Sequence, residues 1–174
     1  ESFPLYMALV HETDMPQQFA GKAIAAEHHL EMMAALVDDN LGHTVIVEPR
    51  DAAKTTLTQA FIEWLLGRAS LSKDKNWANR IRIIYFRNAA HTAYQVSLAI
   101  KAVLEGSAWY HNIFPKVAPD PLKWSQEEWR IKGNDAKDPA FLAMGYTGAA
   151  LGSRADYIFL DDVADEENMK SQQM

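Results

Sequence analysis

A lysine followed by two hydroxyls, Lys54-Thr55-Thr56, opens one amphipathic run, and two adjacent acids, Asp161-Asp162, close a short apolar one. The first group suits anions. An ammonium, hydroxyls and the N–H groups of a helix N-terminus can together surround a phosphate. The second suits a hard divalent cation or an activated water, because carboxylate oxygens hold Mg²⁺ and accept protons. Side by side, they describe phosphoryl transfer, in which a protein mainly positions groups and neutralises charge.

Glu48-Pro49-Arg50-Asp51-Ala52-Ala53-Lys54-Thr55-Thr56 joins an apolar, β-branched run to a helical pattern. That is the context of a phosphate-binding loop, usually written G-x-x-x-x-G-K-[ST]. Lys54 and Thr55 match, whereas Glu48 and Ala53 stand where glycines are expected. Lys54 would reach the β- and γ-phosphates, the Thr55 hydroxyl would ligate Mg²⁺, and Arg50 would add a second cation. The same letters also describe an ordinary turn with a solvated lysine and a capping threonine. At the other end, Tyr157-Ile158-Phe159-Leu160-Asp161-Asp162 has the form of a Walker B strand. Asp161 would hold the Mg²⁺ shell and Asp162 would orient or deprotonate the attacking water. Paired acids at a strand end also serve as turn and N-cap residues. The two segments are independent, and they occur in the order that a nucleotide site requires. The expected ligands are therefore a nucleoside triphosphate, contacted by Pro49 through Thr56, and Mg²⁺, held by Thr55 and Asp161, with Lys54, Arg50 and Asp162 as the catalytic groups.

Positioning these residues falls to alternating strands and helices. Residues 27 to 39 read as a helix, with Leu30, Met33, Ala34 and Val37 on one stripe and Asn40 and Gly42 as the stop. Residues 43 to 47 read as a short buried strand. Residues 54 to 67 form a second helical stripe through Leu57, Ala60, Phe61, Trp64 and Leu65, with Gly67 as its C-cap. A strand over 81 to 86 and a helix over 89 to 105, closed by Gly106, repeat the unit. A loop rich in Pro and Trp follows, then a β-hairpin from 128 to 132 and 141 to 144, then the acidic strand. The pattern predicts an α/β fold with a mainly parallel sheet, whose ligands sit at the carboxyl ends of the strands.

Bulk properties narrow the partners. The chain has 174 residues, 48% of them hydrophobic, enough for one domain with a substantial core. Its net charge of -6 argues against a broadly basic nucleic-acid surface. There are no cysteines, hence no disulfides or thiolate metal sites. No apolar run approaches the ~20 residues that span a bilayer. The first residue is Glu1, which suggests a fragment of a longer protein. The six histidines show no metal-ligand spacing and read as surface or capping residues. Trp109, Trp124, Trp129 and Tyr110 read as packing under a long loop.

These residues resemble the large terminase subunits of tailed bacteriophages. In that family the phosphate loop often departs from the glycine pattern and carries an arginine upstream of the lysine, as in Pro49-Arg50-x-x-Ala53-Lys54-Thr55-Thr56. The stretch Gly152-Ser153-Arg154-Ala155-Asp156 before the strand ending in Asp161-Asp162, and the acidic run Asp165-Glu166-Glu167-Asn168 after it, are similar to the family's approach to Walker B. The resemblance spans roughly residues 27 to 170 and includes Phe114-Pro115 and Trp124 between the two motifs.

It implies a P-loop NTPase fold of the RecA-like (ASCE) type, a parallel sheet flanked by helices and incomplete after the Walker B strand. Residues 1 to 174 would be the ATPase motor domain or a piece of it, with ATP as the nucleotide and the nuclease domain lying outside. It further implies double-stranded DNA, a portal protein and a small terminase subunit as partners, a homo-oligomeric ring, no membrane, and the host cytoplasm as the location. Many members have Glu as the second Walker B acid, so the catalytic acid is Asp162, Glu166 or Glu167. Arg154 either pairs with a nearby Asp or acts near phosphate or on a neighbouring subunit. Gln17 and Gln18 are the positional choices for an adenine contact. The strand that follows Walker B in such ATPases sits between the two motif strands; without it, residues 45 to 47 and 158 to 160 would lack a shared neighbour, leaving a gapped, distorted or intermolecularly completed sheet. The alternatives are another P-loop motor, such as a helicase, or a catalytically silent docking or DNA-binding module.

Overall fold

The computed structural model describes residues 2–12, 26–38, 40–74, 77, 80–148 and 152–163. Gln17, Gln18, Glu166 and Glu167 lie outside these residues. In chain order the elements are α1 (Phe3–Tyr6) running into a π-helical stretch (Met7–Glu12), α2 (Glu27–Val37), α3 (Lys54–Leu71), β1 (Ile83–Arg87), α4 (Ala90–Gly106), α5 (Ala108–Ile113), β2 (Pro119–Trp124), β3 (Glu128–Ile131), β4 (Phe141–Gly145) and β5 (Tyr157–Leu160). Among the described residues, no helix is long and apolar enough to cross a membrane.

The sheet is mixed rather than mainly parallel as expected, with strand order β2-β3-β4-β1-β5. β1 pairs in parallel with β4 on one side and β5 on the other, placing Phe86 opposite both Met144 and Leu160. The antiparallel pairs β2–β3 and β3–β4 extend it to one edge. The hairpin expected from 128 to 144 is thus present. β2 occupies part of the stretch read as loop, its Pro119 and Pro121 tolerated because an edge strand has one row of N–H groups without a ladder partner.

One face of the sheet carries the core. Ile83 and Tyr85 of β1, Phe141 and Ala143 of β4, and Trp129 of β3 are buried there, with Tyr157 and Phe159 of β5 packed against them. Both long helices lie on this face. Phe61 of α3 meets Phe159 edge-on, and Ser97 of α4 accepts the indole N–H of the buried Trp129 at 2.9 Å. Trp129 in turn stacks on Phe141, Trp124 lies against Trp129 and Tyr110 is buried, so these three pack as expected, whereas Trp109, expected to pack with them, is 43% exposed. The opposite face bears two registered rows, Leu142–Ile84–Ile158 and Met144–Phe86–Leu160. Ile84 is buried but, like the other five, lies outside the main core cluster, and Ile158 and Leu160 at the β5 edge are 62% and 65% exposed.

Two sequence expectations need correction. Residues 43 to 47 form no strand, and Val45 and Val47 are 86% and 87% exposed. A β-branched run becomes a strand only beside a partner, and this segment has none among the described residues. Gly67 does not end its helix, which continues to Leu71. Its role is steric: a Cβ there would lie 2.3 Å from Cδ2 of Phe114, so the missing side chain is the slot that receives that ring.

The N-terminal segment is clasped to α3 by a buried carboxylate. Glu63 Oε2 accepts the hydroxyl of Tyr6 at 2.8 Å and faces His11 Nε2 at 2.7 Å, while Oε1 accepts from Gln59 at 3.2 Å. Sequence reasoning placed His11 among surface or capping residues; it is an ion-pair partner of this fully buried acid.

Candidate functional site

The site lies where the N-terminus of α3 meets the carboxyl ends of β1 and β5. Before α3, the chain turns through Asp51 (φ 64°) and Ala53 (φ 57°), both left-handed. Ala53 therefore adopts the backbone that the glycine pattern would have provided, at about 1–2 kcal/mol for an L residue. It is the N-cap of α3, and no side chain caps the helix there. The first-turn N–H groups have no intrahelical partners and head the helix dipole, which is an arrangement suited to an anion. Lys54, the first residue of α3, turns its ammonium back onto the loop and donates to the carbonyls of Glu48 and Pro49, each at 2.7 Å.

Thr55, one residue on, reaches across the fold. Its hydroxyl donates to Asp161 Oδ2 at 2.9 Å, joining positions 106 residues apart. That same oxygen accepts the Tyr85 hydroxyl at 2.5 Å. Burial, followed by the hydrogen bond to the Asp161 carboxylate and its charge, raises the Tyr85 pKa well above that of a free phenol, so this hydroxyl stays a donor. Asp162 follows with φ 47°, its side chain 67% exposed and ion-paired to Arg87 Nη2 at 3.1 Å. Arg87 Nε lies 3.6 Å from Asp161 Oδ2. The parallel register of β1 with β5 explains the meeting, since Phe86 opposite Leu160 sets Arg87 beside Asp161.

Not every expected residue converges. Arg50 is exposed and makes no ion pair among the described residues, and Thr56 is exposed as well. Arg154 is exposed and does not pair with Asp156, which instead holds Arg82 at 2.7 Å. Pro49, Asp51 and Ala52 enter only as the loop backbone before Lys54. Conversely, sequence reasoning missed Arg87 and Tyr85. Their signal was weak: a polar residue within or ending a strand that neighbours the acidic strand.

A search against protein-family models finds no match. Nor does the chain match any curated protein.

The donor set is chemically consistent with a hard cation. Thr55 Oγ1 and Asp161 Oδ2 are oxygens already within 2.9 Å of each other. Among the described residues, no group of three or more acidic or His side chains is gathered as for an all-protein metal cage. Mg²⁺ needs none, because it commonly takes one or two carboxylates and completes its shell with water and phosphate oxygens. The three non-glycine residues with positive φ among the described ones, Asp51, Ala53 and Asp162, all lie here.

Proposed function

We propose that this chain binds and hydrolyses ATP with Mg²⁺ as part of the motor that drives double-stranded DNA into a viral procapsid. The observation that carries the chemical reading is the 2.9 Å contact between Thr55 and Asp161. The two residues named independently as Mg²⁺ ligands, from separate motifs, stand next to each other. The left-handed loop, the uncapped N-terminus of α3 and Lys54 add the features that a triphosphate requires. The packaging role rests on the terminase-like motifs around Arg50, Arg154 and Asp161-Asp162. It carries with it a ring of subunits around DNA, a portal and a small terminase subunit as partners, and a host-cytoplasmic setting.

In this reading Lys54 leaves the carbonyls of Glu48 and Pro49 for the β- and γ-phosphates, and first-turn N–H groups hold the phosphate oxygens. Thr55 and Asp161 would hold Mg²⁺, which would supply charge neutralisation to the phosphates. Tyr85 fixes the Asp161 carboxylate through its hydrogen bond, and Asp162, exposed at the mouth, orients and deprotonates the attacking water. Arg50, which makes no ion pair among the described residues, is available to the developing charge.

A nucleotide-silent docking module is the second reading, favoured by the Lys54 ammonium being satisfied already by two loop carbonyls. Equilibrium binding of a fluorescent ATP analogue with Mg²⁺, and phosphate release, measured for the chain and for Lys54→Ala, separate the two. We expect micromolar-range binding that falls at least about tenfold in the variant, equivalent to ~1.4 kcal/mol of lost contacts. Absence of binding by the unmodified chain would leave only the silent reading.

A further inference from the structure

We propose that Arg87 is a resident cation of the acidic pair, one that must withdraw before a divalent ion can settle between Thr55 and Asp161. The inference deepens the nucleotide-site reading and rests on it. Arg87 closes β1, and its guanidinium bridges two neighbouring carboxylates, 3.1 Å from Asp162 and 3.6 Å from Asp161. Among the described residues it is the cation paired with them, and Lys54 is turned away onto the carbonyls of Glu48 and Pro49.

The hold is electrostatic rather than well bonded. A guanidinium has five N–H donors. Here Nη2 donates to Asp162, while Nε is buried with no hydrogen-bond partner among the described residues. An orphaned buried donor is costly, so the guanidinium gains by moving to a better acceptor. The planar fork suits phosphate oxygens, which gives the displaced side chain a destination when nucleotide arrives. Asp161 Oδ2, the oxygen a metal would use, already accepts from Thr55 and Tyr85. Divalent binding there competes with Arg87 for charge and with both hydroxyls for lone pairs. Arg87 therefore makes metal binding depend on nucleotide: alone, Mn²⁺ is held weakly, and with triphosphate the guanidinium transfers and the acids are released to the ion.

Free Mn²⁺, followed by electron paramagnetic resonance during titration without nucleotide, reads this directly. Arg87→Gln is expected to bind Mn²⁺ about tenfold or more tightly than the unmodified chain, as removal of a unit charge a few Å away is worth on the order of 1.4 kcal/mol. Arg87→Lys, which keeps the charge, is expected to stay near the unmodified value. Adding Asp161→Asn to Arg87→Gln is expected to cancel the gain. A purely structural arginine predicts the opposite sign, since loosening the site weakens Mn²⁺. Arg87→Met, which keeps the aliphatic stem, serves the same comparison if the glutamine variant does not fold. Unchanged or weaker Mn²⁺ binding by the folded Gln or Met variant, while the unmodified chain still binds the ATP analogue, overturns the role of Arg87 alone. Failure of the unmodified chain to bind that analogue overturns the nucleotide reading and this inference with it.

Discussion

Gly67→Ala is the substitution whose outcome the fold dictates most directly. In an exposed helix, Gly to Ala gains about 1 kcal/mol of helix propensity. At position 67 the new Cβ would lie 2.3 to 2.5 Å from three ring carbons of Phe114. Ordinary contact needs about 3.5–4.0 Å, so ring or helix must move by more than an ångström. Phe114 has little room to yield, being buried against Tyr6 and Tyr110. Overpacking of this kind costs typically about 1–3 kcal/mol. A displacement this large belongs at the upper end, and subtracting the propensity gain leaves a net loss of about 2 kcal/mol. For a chain of this size that lowers Tm by roughly 4–8 °C. Urea denaturation followed by far-UV circular dichroism reads the loss. The double variant Gly67→Ala/Phe114→Leu separates the clash from other causes, because a smaller, branched side chain accepts the methyl. Its loss should fall short of the summed single losses, a coupling expected for residues in contact. A neutral or stabilised Gly67→Ala would refute the packing of α5 onto α3 through this slot.

Two further outcomes follow from buried polar groups. Glu63→Ala leaves the Tyr6 hydroxyl unpaired inside the core and His11 unpaired at its margin; at ~1–3 kcal/mol for each unsatisfied buried group, urea denaturation should show a loss of at least 2 kcal/mol or so, and a loss below about 1 would mean the N-terminal segment is not docked on α3. Burial first, with nearby carboxylates adding, raises the pKa values of Tyr6, Tyr85 and Tyr110 above that of a free phenol. The folded state thus holds these protons more tightly than the unfolded chain, so this stabilisation is intact below about pH 10 and is lost as pH rises beyond it. Urea midpoints measured upward from pH 9 or so should decline, and ionisation of all six tyrosines, read by phenolate absorbance with the native dichroism intact, would contradict their burial.

The helices were legible because their apolar stripes are long: α3 and α4 began within a residue of their expected starts. β1 and β5 were legible as apolar runs that end in charge. The failures share a cause, since strand formation depends on neighbours that a local reading does not see. Residues 43 to 47 have strand-like composition and no partner, whereas β2 has two prolines and a partner at the edge. At the site, Thr55 and Asp161 could be named because each carries a local motif. Arg87 and Tyr85 could not, because only the parallel register of β1 against β5 brings them to Asp161. Gly67 illustrates the reverse error: a glycine near the expected end of a stripe looks like a stop, and whether it is one depends on Phe114, 47 positions away.

Backbone strain marks this place independently of the motif letters. A left-handed backbone is unfavourable for L residues, though Asp tolerates it better than Ala because its short polar side chain bonds locally. Asp51 and Asp162 have that excuse; Ala53 does not. Helices ordinarily start from an extended N-cap, as α4 does from Ala89 and α5 from Ser107, so the start of α3 departs from the pattern of this fold. The left-handed Ala53 sits in a loop in which Lys54 faces the carbonyls of Glu48 and Pro49, and its methyl, having no acceptor, leaves the first turn of α3 without a side-chain cap. A glycine at 53 would adopt this conformation without strain, so its absence says that the loop geometry is imposed by surrounding contacts. Thr55 bound to Asp161, and Asp161 bound to Tyr85, are the contacts that tie the start of α3 to the sheet. Strained backbone held in place by long-range side-chain contacts is the condition under which such outliers persist, and they persist mainly at functional sites. The strain, the uncapped helix and the registered acids therefore point to one place, for which the sequence motifs had argued separately.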